Sequence, residues 1–242
     1  MPVFRIYTSA ASPEFGELYA LFRSIFTDDD EAEDLDGIRA SLALVGDAGL
    51  VGRYGDFHEY WVEAREDGAV VGGVNFTAFA VPELGITTAH INYLFTSAAC
   101  RGRGLGSALL GKVREISKAD YLFCEQNDPS LMSAAELEED FRSSGIDPMA
   151  RIAWWIRRGF GRLEFRYIQP PLSAGKAPAE GMSLNVCPSA SPLDAKVLEA
   201  HLRRFFYISV LKKTAGSDAY AESLLEDVLR LGKVAISREA ES

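Results

Sequence analysis

Between residues 101 and 107 the chain reads Arg-Gly-Arg-Gly-Leu-Gly-Ser, and this run constrains the fold more than any other. Upstream, Ile91, Tyr93 and Phe95 alternate with Asn92 and Leu94, the pattern of a half-buried strand. Downstream, Leu105, Ala108, Leu109, Val113 and Ile116 recur at helical spacing and make one buried stripe. Residues Ala89 to Lys118 therefore form strand, glycine-rich loop and helix. Such a loop is suited to an anion. Glycines let a phosphate reach the backbone, the first N–H groups of the helix have no partner within it, and the helix dipole favours negative charge. Arg101 and Arg103 bring charge-assisted donors to the same place.

Several structures share this outline. A nucleotide-triphosphatase loop ends in Gly-Lys-Ser/Thr, whereas this one ends in Gly-Ser, which excludes it. A dinucleotide fold needs G-x-G-x-x-G on the first strand–helix turn of a parallel unit. Gly102, Gly104 and Gly106 are spaced differently, and Glu125 is only a loose match to its distal acid. The plainest reading is a basic, glycine-rich helix start that binds nothing.

The flanking chain narrows the choice. Val3–Thr8 is a short strand, and Ser12-Pro13 opens a helix with Phe15, Leu18, Leu21, Phe22, Ile25 and Phe26 on its apolar face. The acidic run Thr27–Asp36 reads as solvated surface or as a carboxylate rim for a cation, with a second helix over Leu35–Val45. Gly46–Gly55 reads as turns. Glu59–Glu66 and Val70–Val81 alternate as strands around the Asp67-Gly68 hairpin signal, with a bulge expected at Gly72-Gly73. With Ile86–Thr96, three antiparallel strands precede the loop, which a doubly wound dinucleotide fold does not have. Tyr121–Glu125 is a buried strand parallel to its predecessor. A short acidic helix near Ala134–Arg142, a helix from Asp147-Pro148 to Arg158 and a strand over Gly161–Gln169 follow. Pro170–Gly181 is a linker, Met182–Val186 a short strand, and Leu193–Leu211 and Ser217–Leu231 are amphipathic helices.

A formal net charge of −10 excludes nucleic acid as the main partner, because only Arg101–Arg103 could neutralise a phosphate backbone, and it suits a cationic amine. Cys100, Cys124 and Cys187 have unrelated spacings and form neither a disulfide framework nor a metal motif, so no metal is expected and a reducing compartment is. Residues 1–30 lack the pattern of a secretory leader and no apolar run has membrane-spanning length, so the expected location is cytoplasmic, away from membranes.

Arg101, Gly104 and Gly106 meet the pattern Arg-x-x-Gly-x-Gly, which resembles the acyl-coenzyme A loop of the GCN5-related N-acetyltransferases, the GNAT family. The segment ARIAWWIRRGF, Ala150–Phe160, is similar to that family's helix ending in Gly-Phe, and the element order matches over roughly residues 3–186. The resemblance implies an α+β fold with a mixed, mainly antiparallel central sheet, splayed into a V between two parallel strands and flanked by helices. Residues 1–186 would be the catalytic domain and 187–242 a helical extension packed on or beside it. It also implies that acetyl-CoA pairs its pantetheine with Leu94, Phe95 and Thr96. The pyrophosphate would sit on Arg101, Gly102, Arg103, Gly104, Leu105, Gly106 and Ser107, with Asn127 and Trp155 completing the cofactor side.

The implied chemistry is attack of an amine on a thioester, which needs a group to remove a proton from the amine. Several relatives carry a Glu about eleven residues before the loop; here that position is His90, whose ordinary pKa suits base work. Strict alternation would put His90, Asn92 and Leu94 on one face. Glu125, ending the neighbouring strand, is the rival base or an anchor for the amine. Many relatives have a Tyr four residues before the Gly of Gly-Phe to protonate the thiolate; here it is Trp155, whose indole cannot act as an acid. The expectation is thus an N-acetyltransferase for a small-molecule amine, with acetyl-CoA and the amine as partners and a homodimer as an open option. A protein or peptide acetyltransferase and a non-catalytic acyl-CoA sensor are the alternatives.

Overall fold

The computed structural model describes residues 2–27, 32–170, 181–190, 192–212 and 217–238. Its centre is an eight-stranded sheet in the order β1-β2-β3-β4-β5-β7-β6-β10. The strands are β1 (Val3–Tyr7), β2 (Phe57–Glu66), β3 (Ala69–Val81), β4 (Ile86–Thr96), β5 (Tyr121–Asn127), β6 (Gly161–Leu163), β7 (Met182–Cys187) and β10 (Ile236–Ser237), and a separate two-stranded ladder joins β8 (Leu193–Asp194) to β9 (Lys233–Val234). Among the described residues only β4 and β5 run parallel, and the other strand pairs are antiparallel. The fold is the α+β arrangement that the resemblance implied.

Helices cover both faces. They are α1 (Pro13–Ile25), α2 (Leu35–Ala43), α3 (Ala48–Tyr54), α4 (Leu105–Ser117), α5 (Ala134–Ser144), α6 (Pro148–Ile156), α7 (Ala195–Arg204) and α8 (Ala219–Leu231). On one face, α4 and α6 pack Leu105, Leu109, Val113 and Trp155 against Val62, Val74, Phe76, Ile91 and Cys124. On the other, α1 and α2 enclose Trp61 and Phe95 with Phe15, Leu18, Phe22 and Ile38. Beside them, α3, α7 and α8 share one core with Phe57, Phe79, Phe123 and Leu163. Residues 187–242 thus supply a strand to the main sheet and helices to its core.

Local chemistry sets the boundaries. Ser12 accepts from the Phe15 N–H at 3.3 Å and Pro13 occupies the first turn of α1. Gly46–Gly55 folds into α3 rather than turns: Asp47 caps it through the Leu50 N–H at 2.9 Å, and burial of Leu50 and Tyr54 outweighs its poor helix formers. The irregularity expected at Gly72-Gly73 lies one residue earlier, since Ala64 pairs with Gly72 and Arg65 with Val70, leaving out Val71. The glycines serve close packing instead: a Cβ at Gly72 would lie 2.7 Å from the Phe95 carbonyl. The strand expected over Gly161–Gln169 stops at Leu163, and the remainder turns toward β5. The linker at 171–180 and the acidic positions 28–31 lie outside the described residues.

A further irregularity matters for function. Asn75 pairs with Tyr93 and Phe76 with Ile91, so Asn92 is the extra residue of a bulge in β4. Asn92 donates to Asn75 Oδ1 at 2.7 Å on the side of α1 and α2, while Leu94 packs on the α4 side. The expected shared face of His90, Asn92 and Leu94 is therefore corrected: the bulge breaks the alternation and sends Leu94 to the opposite face.

Candidate functional site

The parallel ladder between β4 and β5 is short. Thr88, Ala89, His90 and Ile91 pair with Tyr121, Leu122, Phe123 and Cys124, and the pairing then ends. β4 continues to Thr96 and β5 to Asn127, so the backbone edge of β4 beyond Ile91 faces a gap rather than a neighbouring strand. An unpaired strand edge is a template for any extended chain carrying amide groups. The bulge at Asn92 sits where the two strands part. A buried polar network holds it: Asn75 donates to Glu59 at 2.9 Å, and Ser41 donates to the other Glu59 oxygen at 2.5 Å.

The glycine loop lies at the end of β4. Gly102 and Gly104 have φ of 74° and 83°, the left-handed region that favours glycine, and the space where a Cβ would stand is open at both. Gly104 is the N-cap of α4 and makes no side-chain cap, so the first N–H groups of the helix keep their capacity for a ligand. Gly106 has a different task, because a Cβ there would lie 3.1 Å from the Trp154 ring. Arg101 donates to the carbonyls of Ser144 and Gly145 at 2.8 and 3.0 Å, at the C-terminal end of α5. Arg103 pairs with Glu66 at 2.8 Å. Arg158 stacks over Trp154 at 3.6 Å and donates to Ser107 Oγ at 3.0 Å. Burial, then Arg157 and Arg114, push its pKa down, and Arg114 donates to the Arg158 carbonyl at 3.0 Å. These groups fit a pyrophosphate: open glycine backbone, an uncapped helix start and several guanidinium groups.

On the opposite face, His90 and Glu125 approach each other, with His90 Nε2 3.6 Å from Glu125 Oε2. Both project from residues beside the splay. Glu125 accepts hydrogen bonds from the Tyr167 hydroxyl and, at 3.1 Å, from Gln169 Nε2. Burial and then the Glu125 charge push the Tyr167 pKa well above its ordinary value, so Tyr167 stays a neutral donor. Glu125 keeps 11% of its side chain exposed, whereas His90 is fully buried. Phe205 stacks on the His90 ring at 3.6 Å. His90 Nδ1 lies 3.1 Å from His201 Nε2, and His201 Nδ1 lies 2.9 Å from Thr88 Oγ1.

A family model described as the acetyltransferase (GNAT) family matches residues 16–136. The chain belongs to the GNAT acetyltransferase family. Its members are acyltransferases, and this chain has a mixed α+β fold consistent with the family, with β4 and β5 parallel. A GNAT-family protein from Bacteroides thetaiotaomicron is similar in structure, with 20% identity and a TM-score of 0.53 over 86% of this chain and 97% of that one. An aminoglycoside acetyltransferase from an uncultured soil metagenomic sample shares 22% identity at a TM-score of 0.41, over 59% of this chain and 87% of that one. No curated protein matches the chain. Among the described residues, no helix is long and apolar enough to cross a membrane.

The structure brings many of the expected residues to the splay. Thr96, Arg101, Gly102, Arg103, Gly104, Leu105, Gly106 and Ser107 cluster at the loop, and His90 meets Glu125. Phe95 is buried with α1, Asn127 pairs with Met182 of β7, and Trp155 is packed against Phe160 in the core. Sequence reasoning missed Tyr167, Gln169, His201 and Arg158. Only Arg158 had a signal, its place beside the Gly-Phe ending; the others reach the site through folding of distant segments.

Proposed function

We propose that this protein is an N-acyltransferase that moves the acetyl group of acetyl-CoA to a primary amine of a small molecule. The observation that carries this reading is the splay between β4 and β5, with the open glycine loop at one end and the Glu125–His90 pair on its other face. Gly102–Ser107 would hold the pyrophosphate, and the free edge of β4 beyond Ile91 would hold the pantetheine. Acetyl-CoA, the acyl donor, supplies the reactive thioester.

Glu125 has the better access to the amine, and two donors aim its carboxylate, Tyr167 and Gln169, with the His90 ring 3.6 Å behind it. As the amine nitrogen bonds to the thioester carbon and the carbon–sulfur bond breaks, Glu125 takes the proton the nitrogen must lose. The thiolate leaves with its electron pair and is protonated from solvent. Trp155 supplies no acid, being sealed in the core with 8% exposure. The Glu125 carboxylate also attracts a cationic acceptor, which loses its first proton to solvent and attacks as the neutral amine.

The test is release of free thiol from acetyl-CoA upon addition of a panel of small amines and N-terminal peptides. Amine-dependent release with the small amines supports the proposal. Release with peptides alone makes the protein a peptide acetyltransferase, and tight CoA binding without release by any amine makes it an acyl-CoA sensor.

A further inference from the structure

We infer that His201, on α7 of the C-terminal extension, is a positioning residue that fixes the tautomer of His90 and so aims a donor at Glu125. This rests on the reading above, in which Glu125 takes the proton. The observation is a buried chain of polar atoms crossing from one segment to the other. Thr88 Oγ1 lies 2.9 Å from His201 Nδ1, His201 Nε2 lies 3.1 Å from His90 Nδ1, and His90 Nε2 lies 3.6 Å from Glu125 Oε2. Thr88, His90 and His201 all have relative exposures of 0%.

The direction of the chain follows from its ends. A neutral imidazole carries one N–H, so with both rings neutral each donates at one nitrogen and accepts at the other. Burial, then His90 and Arg204, hold the His201 pKa well below its ordinary value, so His201 is neutral. The far end is a carboxylate, which repels a ring lone pair and attracts an N–H. The order with all protons used is then Thr88 hydroxyl to His201 Nδ1, His201 Nε2–H to His90 Nδ1, and His90 Nε2–H toward Glu125. The reverse order leaves the Thr88 hydroxyl proton unused among the described residues and turns a lone pair on Glu125.

The surroundings hold this geometry. His201 stacks on Phe123 at 3.8 Å, and His90 stacks on Phe205, the first residue of a π-helical segment (Phe205–Val210) that continues α7. Among the described residues, the charged and titratable groups that reach the pair include Glu125, Tyr167 through Glu125, and Arg204. Arg204 is neutralised by two contacts of 2.9 Å to Glu83 and also donates to the Ala80 carbonyl, pinning α7 to the end of β3. An extension whose work was only to cover the sheet would need no paired histidines at this point; an apolar side chain would be simpler to bury.

The experiment reads ring nitrogens directly and then activity. Long-range nitrogen–proton NMR of the intact protein should show His90 protonated at Nε2 and bare at Nδ1, and His201 protonated at Nε2. In His201→Phe, which keeps an aromatic ring over Phe123, kcat should fall about 10- to 100-fold, short of the loss of a base itself, with KM for acetyl-CoA unchanged. His201→Gln, whose amide N–H can still donate to His90 Nδ1, should recover most of kcat. Should His201→Phe fail to fold, Thr88→Val tests the chain from its other end and should shift both ring tautomers. Protonation of His90 at Nδ1 in the wild type, or equal kcat in the Phe and Gln variants, overturns the inference. Absence of transfer to any amine would sink the enzymatic reading alone, because the NMR result still decides the tautomer.

Discussion

The two walls of the splay are assembled in opposite ways. The glycine loop and α4 come from one continuous stretch, with Gly102 and Gly104 in their left-handed conformations, an uncapped helix start and two arginines within a few residues. The face bearing Glu125 draws on four separate segments: His90 from β4, Glu125 from β5, Tyr167 and Gln169 from the chain after β6, and His201 from α7. A phosphate group is the same in every acyl-CoA, and a local backbone motif suffices for it. An acceptor differs from enzyme to enzyme, and long-range contacts allow one wall to change while the other stays.

The sharpest way to break this division is Glu125→Gln. If the walls act separately, amine-dependent turnover falls about 10²–10⁴-fold, the usual contribution of a general base, while calorimetry gives an unchanged CoA affinity. Loss of both together would show that the walls are coupled.

Gly104→Val attacks the other wall. At φ 83° a β-branched residue costs about 1–2 kcal/mol in backbone strain, and its side chain would stand where the anion must approach. CoA affinity should fall further than in any arginine variant, and a thermal melt should show the strain independently.

The difference in construction also explains what could be read from the sequence. The loop was legible because its signal is local: glycine spacing, a helical stripe and a preceding strand. The three antiparallel strands and the parallel strand after the loop followed from alternation, Asp67-Gly68 and the apolar run at Tyr121–Glu125. Three features were not legible. Helix α3 hides among glycines at 46, 49, 52 and 55 because burial of Leu50 and Tyr54, not propensity, holds it. The bulge at Asn92 has no glycine to mark it and is kept by the Glu59–Asn75 network across two strands. His201 reads as one polar residue on an amphipathic helix until the fold sets it against His90, more than a hundred positions away.

Arg101→Ala should have a smaller effect than Gly104→Val. Losing a hydrogen bond from a charged group weakens CoA binding by about 1.5–3 kcal/mol, seen as a rise in Kd. Because Arg101 also grips the carbonyls of Ser144 and Gly145, protease cleavage near the end of α5 should become faster in this variant. Unchanged CoA affinity would leave Arg101 as a structural tie for α5.

The smallest effect concerns the network beneath the bulge. Burial is the main cause that raises the pKa of Glu59, against opposing hydrogen bonds from Ser41 and Asn75. The folded protein therefore binds this proton more tightly than the unfolded chain does. The associated stabilisation is present below the ordinary carboxylate pKa and is lost as pH rises through the higher folded value. Glu59→Gln removes the titration, so the Tm of the variant relative to the wild type should increase as the pH rises above the ordinary carboxylate range. A pH-independent difference in Tm would remove the buried charge from the explanation. CoA affinity should not change, since Glu59 touches neither wall directly.

The most direct test of the two-walled site is a crystal structure with CoA or a non-hydrolysable acetyl-CoA analogue. The pantetheine should lie along β4 beyond Ile91, with the pyrophosphate on the N–H groups of Gly104–Ser107 and the acyl end turned toward Glu125. CoA bound elsewhere, with the gap between β4 and β5 free of ligand, would contradict it.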